Sequence, residues 1–236
     1  MIGLILAAGE GKRLFGADSA GGCKPLVTVN GKKLLSYSLD NLISLGVEKA
    51  VIVAGSYIDD IRKSFGSSYD GIELVYAYQE EAKGIVNAIL SAEEFLCDDF
   101  VLQLSDEIFV GLNLSCNPLQ NTAGFAVGYV VEKDQDKIKG NYSIETDAAG
   151  NLLKCTEKPT VVTNEYKGTG FCLFKKQMVE ILKTAYDPET NRPNDLCDFI
   201  NLLIHEEKVG CIFEVADREF NINTETDLND AIETIG

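Results

Sequence analysis

The sequence predicts an α/β protein: a Rossmann-like, mixed but mostly parallel sheet flanked by helices, with a small antiparallel lobe. Three observations carry this. Short apolar runs alternate with segments of helical period through the first half of the chain. The connections between those runs are too long for hairpins, so the strands are parallel and need crossovers. After about residue 120 the strand-like runs come closer together, with turn residues between them, as antiparallel strands do.

Ile2 to Ala7 is apolar throughout and runs straight into glycines, as a buried parallel strand ending in a loop does. Leu35, Leu39 and Leu42 fall on one helical face, and Gly46 stops that helix. Ala50 to Ala54 is a second strand, followed by a charged helix around Ile58 to Phe65. Glu73 to Tyr78 is a third strand, and Ile85, Ala88, Ile89 and Ala92 share a helical face. Phe100 to Leu104 is a fourth strand and ends at Ser105-Asp106. In open parallel sheets ligands sit beyond the carboxyl ends of the strands. The glycine loop after Ala7 and Asp106 after Leu104 share that edge.

In the second half, Phe125–Val131, Tyr142–Glu145 and Leu152–Glu157 read as strands, with a turn at Ala149-Gly150-Asn151. Gly168 to Phe174 is a further strand. Met178, Ile181, Leu182 and Ala185 mark one helix, and Leu196, Phe199, Ile200 and Leu203 another. Cys211 to Val215 is a strand. Thr224 with Asp227 caps a last helix bearing Leu228, Ala231, Ile232 and Ile235.

The 236 residues carry 37 Asp and Glu against 21 Lys and Arg, a formal charge of −16. A field of that sign repels nucleic-acid phosphates and anionic membranes, so neither is expected as a partner. A small anionic substrate is still allowed where basic residues gather. The seven Cys include no C-x-x-C pair and the chain has one His, which leaves no zinc-finger set. Reduced, partly buried cysteines and a cytoplasmic location are expected. Met1-Ile-Gly-Leu-Ile-Leu6 lacks a basic region and a long apolar stretch, so neither a signal peptide nor a membrane span is expected.

Chemistry is densest in Leu6-Ala-Ala-Gly-Glu-Gly-Lys-Arg-Leu14. Gly9 and Gly11 let the backbone approach a ligand and can cradle phosphate, or they make a tight turn only. Lys12, Arg13 and, further on, Lys24 before Pro25 supply positive charge. A Walker A loop is excluded because Arg13 follows Lys12, and the dinucleotide fingerprint because Leu14 stands where a third small residue is needed.

These residues resemble the signature loop of sugar-phosphate nucleotidyltransferases: Leu6-Ala-Ala-Gly-x-Gly-x-Arg-Leu14, then Lys24-Pro25-Leu26. The similarity continues in order. Tyr76-x-x-Gln79 with Gly84 and Ala88 resembles the family's base-reading segment. Ser105-Asp106-x-Ile-Phe109 resembles its metal-binding strand end. Glu157-Lys158-Pro159 resembles its sugar-phosphate motif, and Gly168-Thr169-Gly170-Phe171 the strand after it. Asn221-Ile-Asn-Thr-Glu-Thr-Asp-Leu228 resembles its closing motif.

The resemblance implies a GT-A-like domain over 1–236, with a nucleotide-binding half to about residue 120 and an acceptor-binding half from about 121. It implies attack by an acceptor phosphate on the α-phosphorus of a nucleoside triphosphate, releasing pyrophosphate. A phosphate monoester needs no general base near neutral pH, so catalysis is positioning and charge neutralisation. By resemblance Arg13 holds the leaving phosphates, Lys24 the α-phosphate and Lys158 the attacking phosphate. Leu6, Ala7, Ala8, Gly9, Gly11, Lys12, Gln79, Gly84 and Ser105 line the nucleotide. Tyr142, Ser143, Glu157, Lys158 and Thr169 line the acceptor. Asp106 and Asn221 hold Mg²⁺, a hard ion that prefers oxygen.

Two positions depart from the family. Asn221 stands where a second metal carboxylate is usual, and can ligate without bringing charge. Ser143 follows Tyr142 where sugar-using members carry Gly. UTP or dTTP with a sugar 1-phosphate is the first expectation, the pyrimidine from Gln79 with Gly84 and the sugar from the family resemblance, which Ser143 and Asn221 weaken. CTP with phosphocholine or a phosphonate is an alternative, and so is a non-catalytic subunit that senses nucleotide sugars. A homo-oligomer is compatible with any of these. No β-helix or hexapeptide-repeat domain is expected after Gly236. Asp18 to Gly22 reads as a loop that closes over triphosphate or as a plain insertion. His205 reads as a helix-terminal residue. Cys23 is expected to have a lowered pKa beside Lys24, without a catalytic role.

Overall fold

The computed structural model describes residues 1–9, 11–16, 22–114, 118–121, 124–206 and 208–236. Glu10, positions 18–21 of the expected triphosphate loop, and Cys116 lie outside the described residues. The chain runs β1 (Ile2–Leu6), α1 (Lys12–Phe15), β2 (Thr28–Val29), β3 (Lys32–Lys33), α2 (Leu34–Ser44), β4 (Lys49–Ala54), α3 (Ile58–Phe65), β5 (Ser68–Tyr69), β6 (Ile72–Tyr78), α4 (Ile85–Ser91) and β7 (Phe100–Leu104). It continues through β8 (Glu107–Leu112), β9 (Phe125–Val131), α5 (Gln135–Lys139), β10 (Tyr142–Thr146), β11 (Leu152–Glu157) and β12 (Tyr166–Phe174). It closes with α6 (Gln177–Ala185), α7 (Leu196–His205), β13 (Gly210–Glu214), β14 (Ala216–Asn221) and α8 (Glu225–Ile235).

The parallel strands lie in the order β6-β4-β1-β7. The chain lays β4 and β6 on one side of β1, then returns to place β7 on the other. The reversal leaves a crevice between the carboxyl ends of β1 and β7, where Leu6 pairs with Leu104. One sheet face carries Leu4, Phe100 and Leu102 against Val86 and Ile89 of α4, Leu182 of α6 and Phe199 of α7. The other carries Ile5, Ile52 and Val101 against Leu35, Leu39 and Leu42 of α2 and Ile61 of α3. Two-sided burial is why the strands read as unbroken apolar runs.

The second-half strands β9 to β13 extend this same sheet, antiparallel except for β13, which runs parallel to β9. β12 pairs with β7 and passes the order on to β10 and β11, while β9 bridges β12 and β13. A separate two-stranded antiparallel sheet joins β8 to β14, with Asn221 opposite Glu107. That pairing, together with the Ile222 N–H donated to the Asp106 carbonyl (2.9 Å), carries the end of the chain back to the crevice. Thr224 and Asp227 form the expected capping box on α8.

Candidate active site

The loop after β1 is anchored before it turns. Ala7 N–H donates to Val53 O (2.7 Å), and Ser105 N–H donates to Leu6 O (3.1 Å). Gly11 has φ +61°, and a Cβ there would lie 2.8 Å from the Phe15 ring, so glycine is required. A Cβ on Gly9 would meet nothing within 4 Å and would project into open space. Gly9, Gly11, Lys12 and Arg13 line one cavity with Lys24 and Asp106.

Lys24 is buried at the start of a short turn, with Pro25 fixing the next φ. Its Nζ donates to Asp106 Oδ2 (2.6 Å) and to Asn223 Oδ1 (3.0 Å). Arg13 donates to the same Asn223 oxygen (2.9 Å), and Asn223 Nδ2 donates to Asn221 Oδ1. Asn223 thus joins Arg13 and Lys24 to Asn221, and Lys24 carries the link on to Asp106. Its own N–H is held by Asp227 Oδ2 (2.9 Å), so the α8 cap sets its position. Nothing in a lone Asn within a turn-like segment marks it as a hub. Only the return of β14 to the crevice does.

A second cavity, of about 310 Å³, is lined by Leu6, Ala8, Gly9, Lys24, Gln79, Gly84, Ser105 and Asp106. Gln79 is buried, and its Nε2 donates to Gly84 O (3.2 Å) and Asn87 Oδ1 (2.8 Å). Those bonds fix the amide and leave Oε1 as its acceptor end. Gly84 has φ +93°, and a Cβ there would come 2.3 Å from Asn194 Oδ1 and 2.8 Å from Asn194 O. A narrow hollow with Gly55 and Tyr78 adjoins this end.

The acceptor-side residues are more dispersed. Tyr142 is buried, and its hydroxyl donates to Thr169 O (2.6 Å) beneath Gly168. Thr169 is fully buried, and its hydroxyl donates to Gly128 O (3.0 Å), so its side chain supports the sheet instead of facing a cleft. Ser143 is buried on β10 opposite Lys167. Lys158 takes φ +45°, a conformation L-residues seldom adopt, and its Nζ lies 3.7 Å from Glu157 Oε1 with the side chain 72% exposed. Burial, then the nearby Asp195, push the Glu157 carboxyl up against the pull of Lys158. Among the described residues no hydrogen bond or ion pair joins Glu157 or Lys158 to the Arg13–Lys24–Asp106 network.

Between the two groups lies a charged cluster that the motifs do not mark. Lys167 pairs with the buried Glu219. Both oxygens of Glu107 accept the Gly170 N–H (2.8 and 2.9 Å), and burial, then Glu219 and Asp106, raise its pKa well above the carboxylate range. The expected lowering at Cys23 is overturned: burial raises its thiol to about 11. All six described cysteines are free. His205 is exposed at the end of α7, 3.9 Å from Glu206. No described helix is long and apolar enough to cross a membrane.

The model of the nucleotidyl transferase family matches residues 2–217. The chain belongs to that family. It is a nucleotidyltransferase, as the motif order implied. It is 30% identical over 207 residues to a UTP–glucose-1-phosphate uridylyltransferase, AglF, of Haloferax volcanii, covering 86% of this chain and 84% of that one. It is 32% identical over 189 residues to a glucose-1-phosphate thymidylyltransferase of an Actinoplanes species, covering 78% of this chain and 61% of that one. The chain therefore spans somewhat less than two thirds of that thymidylyltransferase. A Bacillus anthracis structure described as a glucose-1-phosphate thymidylyltransferase superposes with TM-score 0.86 at 22% identity, over 99% of this chain and 94% of that one, which establishes the shared fold.

Proposed function

We propose that this nucleotidyltransferase joins a nucleoside monophosphate from UTP or dTTP to a sugar 1-phosphate and releases pyrophosphate. The observation that carries this reading is the network Arg13–Asn223–Lys24–Asp106 at the switch point of the sheet. It gathers two cations and a carboxylate beside a glycine loop in a chain of net charge −16. Arg13 neutralises the leaving phosphates, and Lys24 the charge that develops at the α-phosphorus. Gln79, with Nε2 already held, offers Oε1 to the N3–H of uracil or thymine, a proton that cytosine lacks. Residues 1–120 then hold the nucleotide and 121–236 the acceptor, with Glu157 on a hydroxyl and Lys158 on the attacking phosphate. The left-handed backbone at Lys158 supports that role, since such conformations cluster at ligand clamps.

Mg²⁺ fits the donors present. Asp106 offers a carboxylate and Asn221 an amide oxygen, both hard ligands. Asp106 and Asn221 would supply two of the ion's oxygen ligands, with triphosphate oxygens and water for the rest of the shell. When bound, Mg²⁺ supplies charge neutralisation along the phosphates. A pyrophosphate-release screen of UTP, dTTP and CTP against glucose 1-phosphate and phosphocholine tests this reading. Release with CTP and phosphocholine only would replace it with the cytidylyl alternative. Binding of a nucleotide sugar without any release would make the chain a sensor.

A further inference from the structure

A third, open cavity of about 290 Å³ lies between α5, β14 and α8. Arg13 and Asn221 form the wall it shares with the catalytic network, and Asn141 and Lys167 form the wall toward the acceptor strands. Lys137 of α5 and Arg218 of β14 also line it, and neither has a carboxylate partner among the described residues. The Arg218 guanidinium is held 4.4 Å over the Phe220 ring, which fixes its position without neutralising it. The other charges of the lining are already matched. Lys167 is paired with Glu219, and Asp227 Oδ2 accepts the N–H groups of Asn223 and Thr224. Asp230, exposed on α8, is the remaining carboxylate. Arg13, Lys137, Lys167 and Arg218 against Glu219, Asp227 and Asp230 leave one positive charge in excess facing an open cavity, in a chain whose net charge is −16.

We infer that this cavity binds an anionic group carried by the acceptor: the nucleotidyltransferase takes a sugar phosphate that bears a second acidic group, such as a carboxylate on the ring. This rests on the function proposed above and narrows its substrate class. The attacking phosphate, with Lys158 on it, meets the α-phosphorus at the Lys24–Asp106 end, and the second anion reaches Arg218 and Lys137. A bare hexose 1-phosphate leaves both cations without a partner. Arg218 presents the planar donor fork that matches a carboxylate or phosphate.

The test uses Arg218→Ala, Lys137→Ala and Arg218→Lys, all at exposed positions outside the proposed catalytic network. Steady-state constants are measured for glucose 1-phosphate, for glucuronic acid 1-phosphate and, in the reverse direction, for pyrophosphate. The expected result is a KM for glucuronic acid 1-phosphate about tenfold higher in Arg218→Ala, as loss of one charge-assisted hydrogen bond predicts. The KM for glucose 1-phosphate stays within twofold, and Arg218→Lys recovers part of the loss. Equal changes for both acceptors, or none, overturn the inference. A change in the pyrophosphate KM alone assigns the cavity to the leaving group and overturns it as well. If the native chain turns over neither acceptor, the proposed function fails instead. Calorimetric binding of glucuronic acid 1-phosphate then still decides the cavity: weakening in Arg218→Ala supports the inference, and unchanged binding overturns it.

Discussion

Replacing Lys24 with methionine deletes the ammonium 2.6 Å from Asp106 Oδ2 and 3.0 Å from Asn223 Oδ1 while keeping the buried stem. Lys24's side chain is 8% exposed and Asp106's 23%, so the carboxylate left behind is only partly reachable by water. Breaking a fully buried pair costs roughly 3–5 kcal/mol. Partial solvation of Asp106 reduces this to about 2–3 kcal/mol. For a domain of this size that corresponds to a fall in Tm of about 5–10 °C. Asp106→Ala should cost a similar amount by stranding the lysine. The double variant should cost little more than either single one, because the charge each leaves uncompensated is gone. The coupling in the cycle is then about 1–3 kcal/mol. Urea midpoints without nucleotide measure it. Turnover should fall at least about 100-fold in each single variant, as when one transition-state donor is removed. Additive stabilities together with turnover within threefold of native would refute the assignment of this pair as the charged centre of the site.

Gly84→Ala places a Cβ 2.3 Å from Asn194 Oδ1 at φ +93°. It should destabilise by roughly 1–3 kcal/mol and raise the KM for the triphosphate more than that for the acceptor, which steady-state kinetics would show. Glu107 has a raised pKa, so the folded state prefers its protonated form. Its contribution is complete below the ordinary value of 4.5 and is lost as pH rises toward the folded value. In that window the folding equilibrium weakens by up to about tenfold per pH unit. Glu107→Gln keeps an acceptor for Gly170 and should flatten the stability–pH curve above pH 4.5, in unfolding titrations; parallel curves would contradict the burial argument. Asn221→Asp adds a second carboxylate next to Ile222, whose N–H is bonded to the Asp106 carbonyl, and should tighten Mn²⁺ binding without nucleotide by about tenfold or more, read by electron paramagnetic resonance.

The parallel frame is legible because β1, β4 and β7 are buried on both faces and so contain almost nothing but apolar residues, while β6 keeps Glu73 and Tyr78 exposed and reads as a strand by alternation. The order of motifs along the chain placed the glycine loop and Asp106 at one edge, and the β1–β7 register puts them there. The pairing of β8 with β14 was not legible. It joins segments about a hundred residues apart, and β8 alternates buried and exposed positions too irregularly to read as a strand. Asn223 lies inside the closing motif, and its importance comes from that pairing, which no local pattern reveals. Lys167 was left outside its strand because a charge in a core strand is unexpected until Glu219 answers it. Thr169 was expected on the acceptor, but small polar residues beside glycines read alike whether they face a ligand or the next strand. Here the hydroxyl goes to Gly128. Cys23 shows the same limit in electrostatics. Sequence adjacency to Lys24 suggested a lowered pKa, whereas Lys24 points its charge at Asp106 and burial of the thiol decides the direction.

The most direct measurement is pyrophosphate release from UTP or dTTP, followed with and without a sugar 1-phosphate and with and without Mg²⁺. The account predicts release only when all three are present, in step with formation of a nucleotide sugar, and its near loss in Asp106→Ala. Nucleotide or nucleotide-sugar binding with no release under any of these conditions, or release indifferent to Asp106, would contradict it.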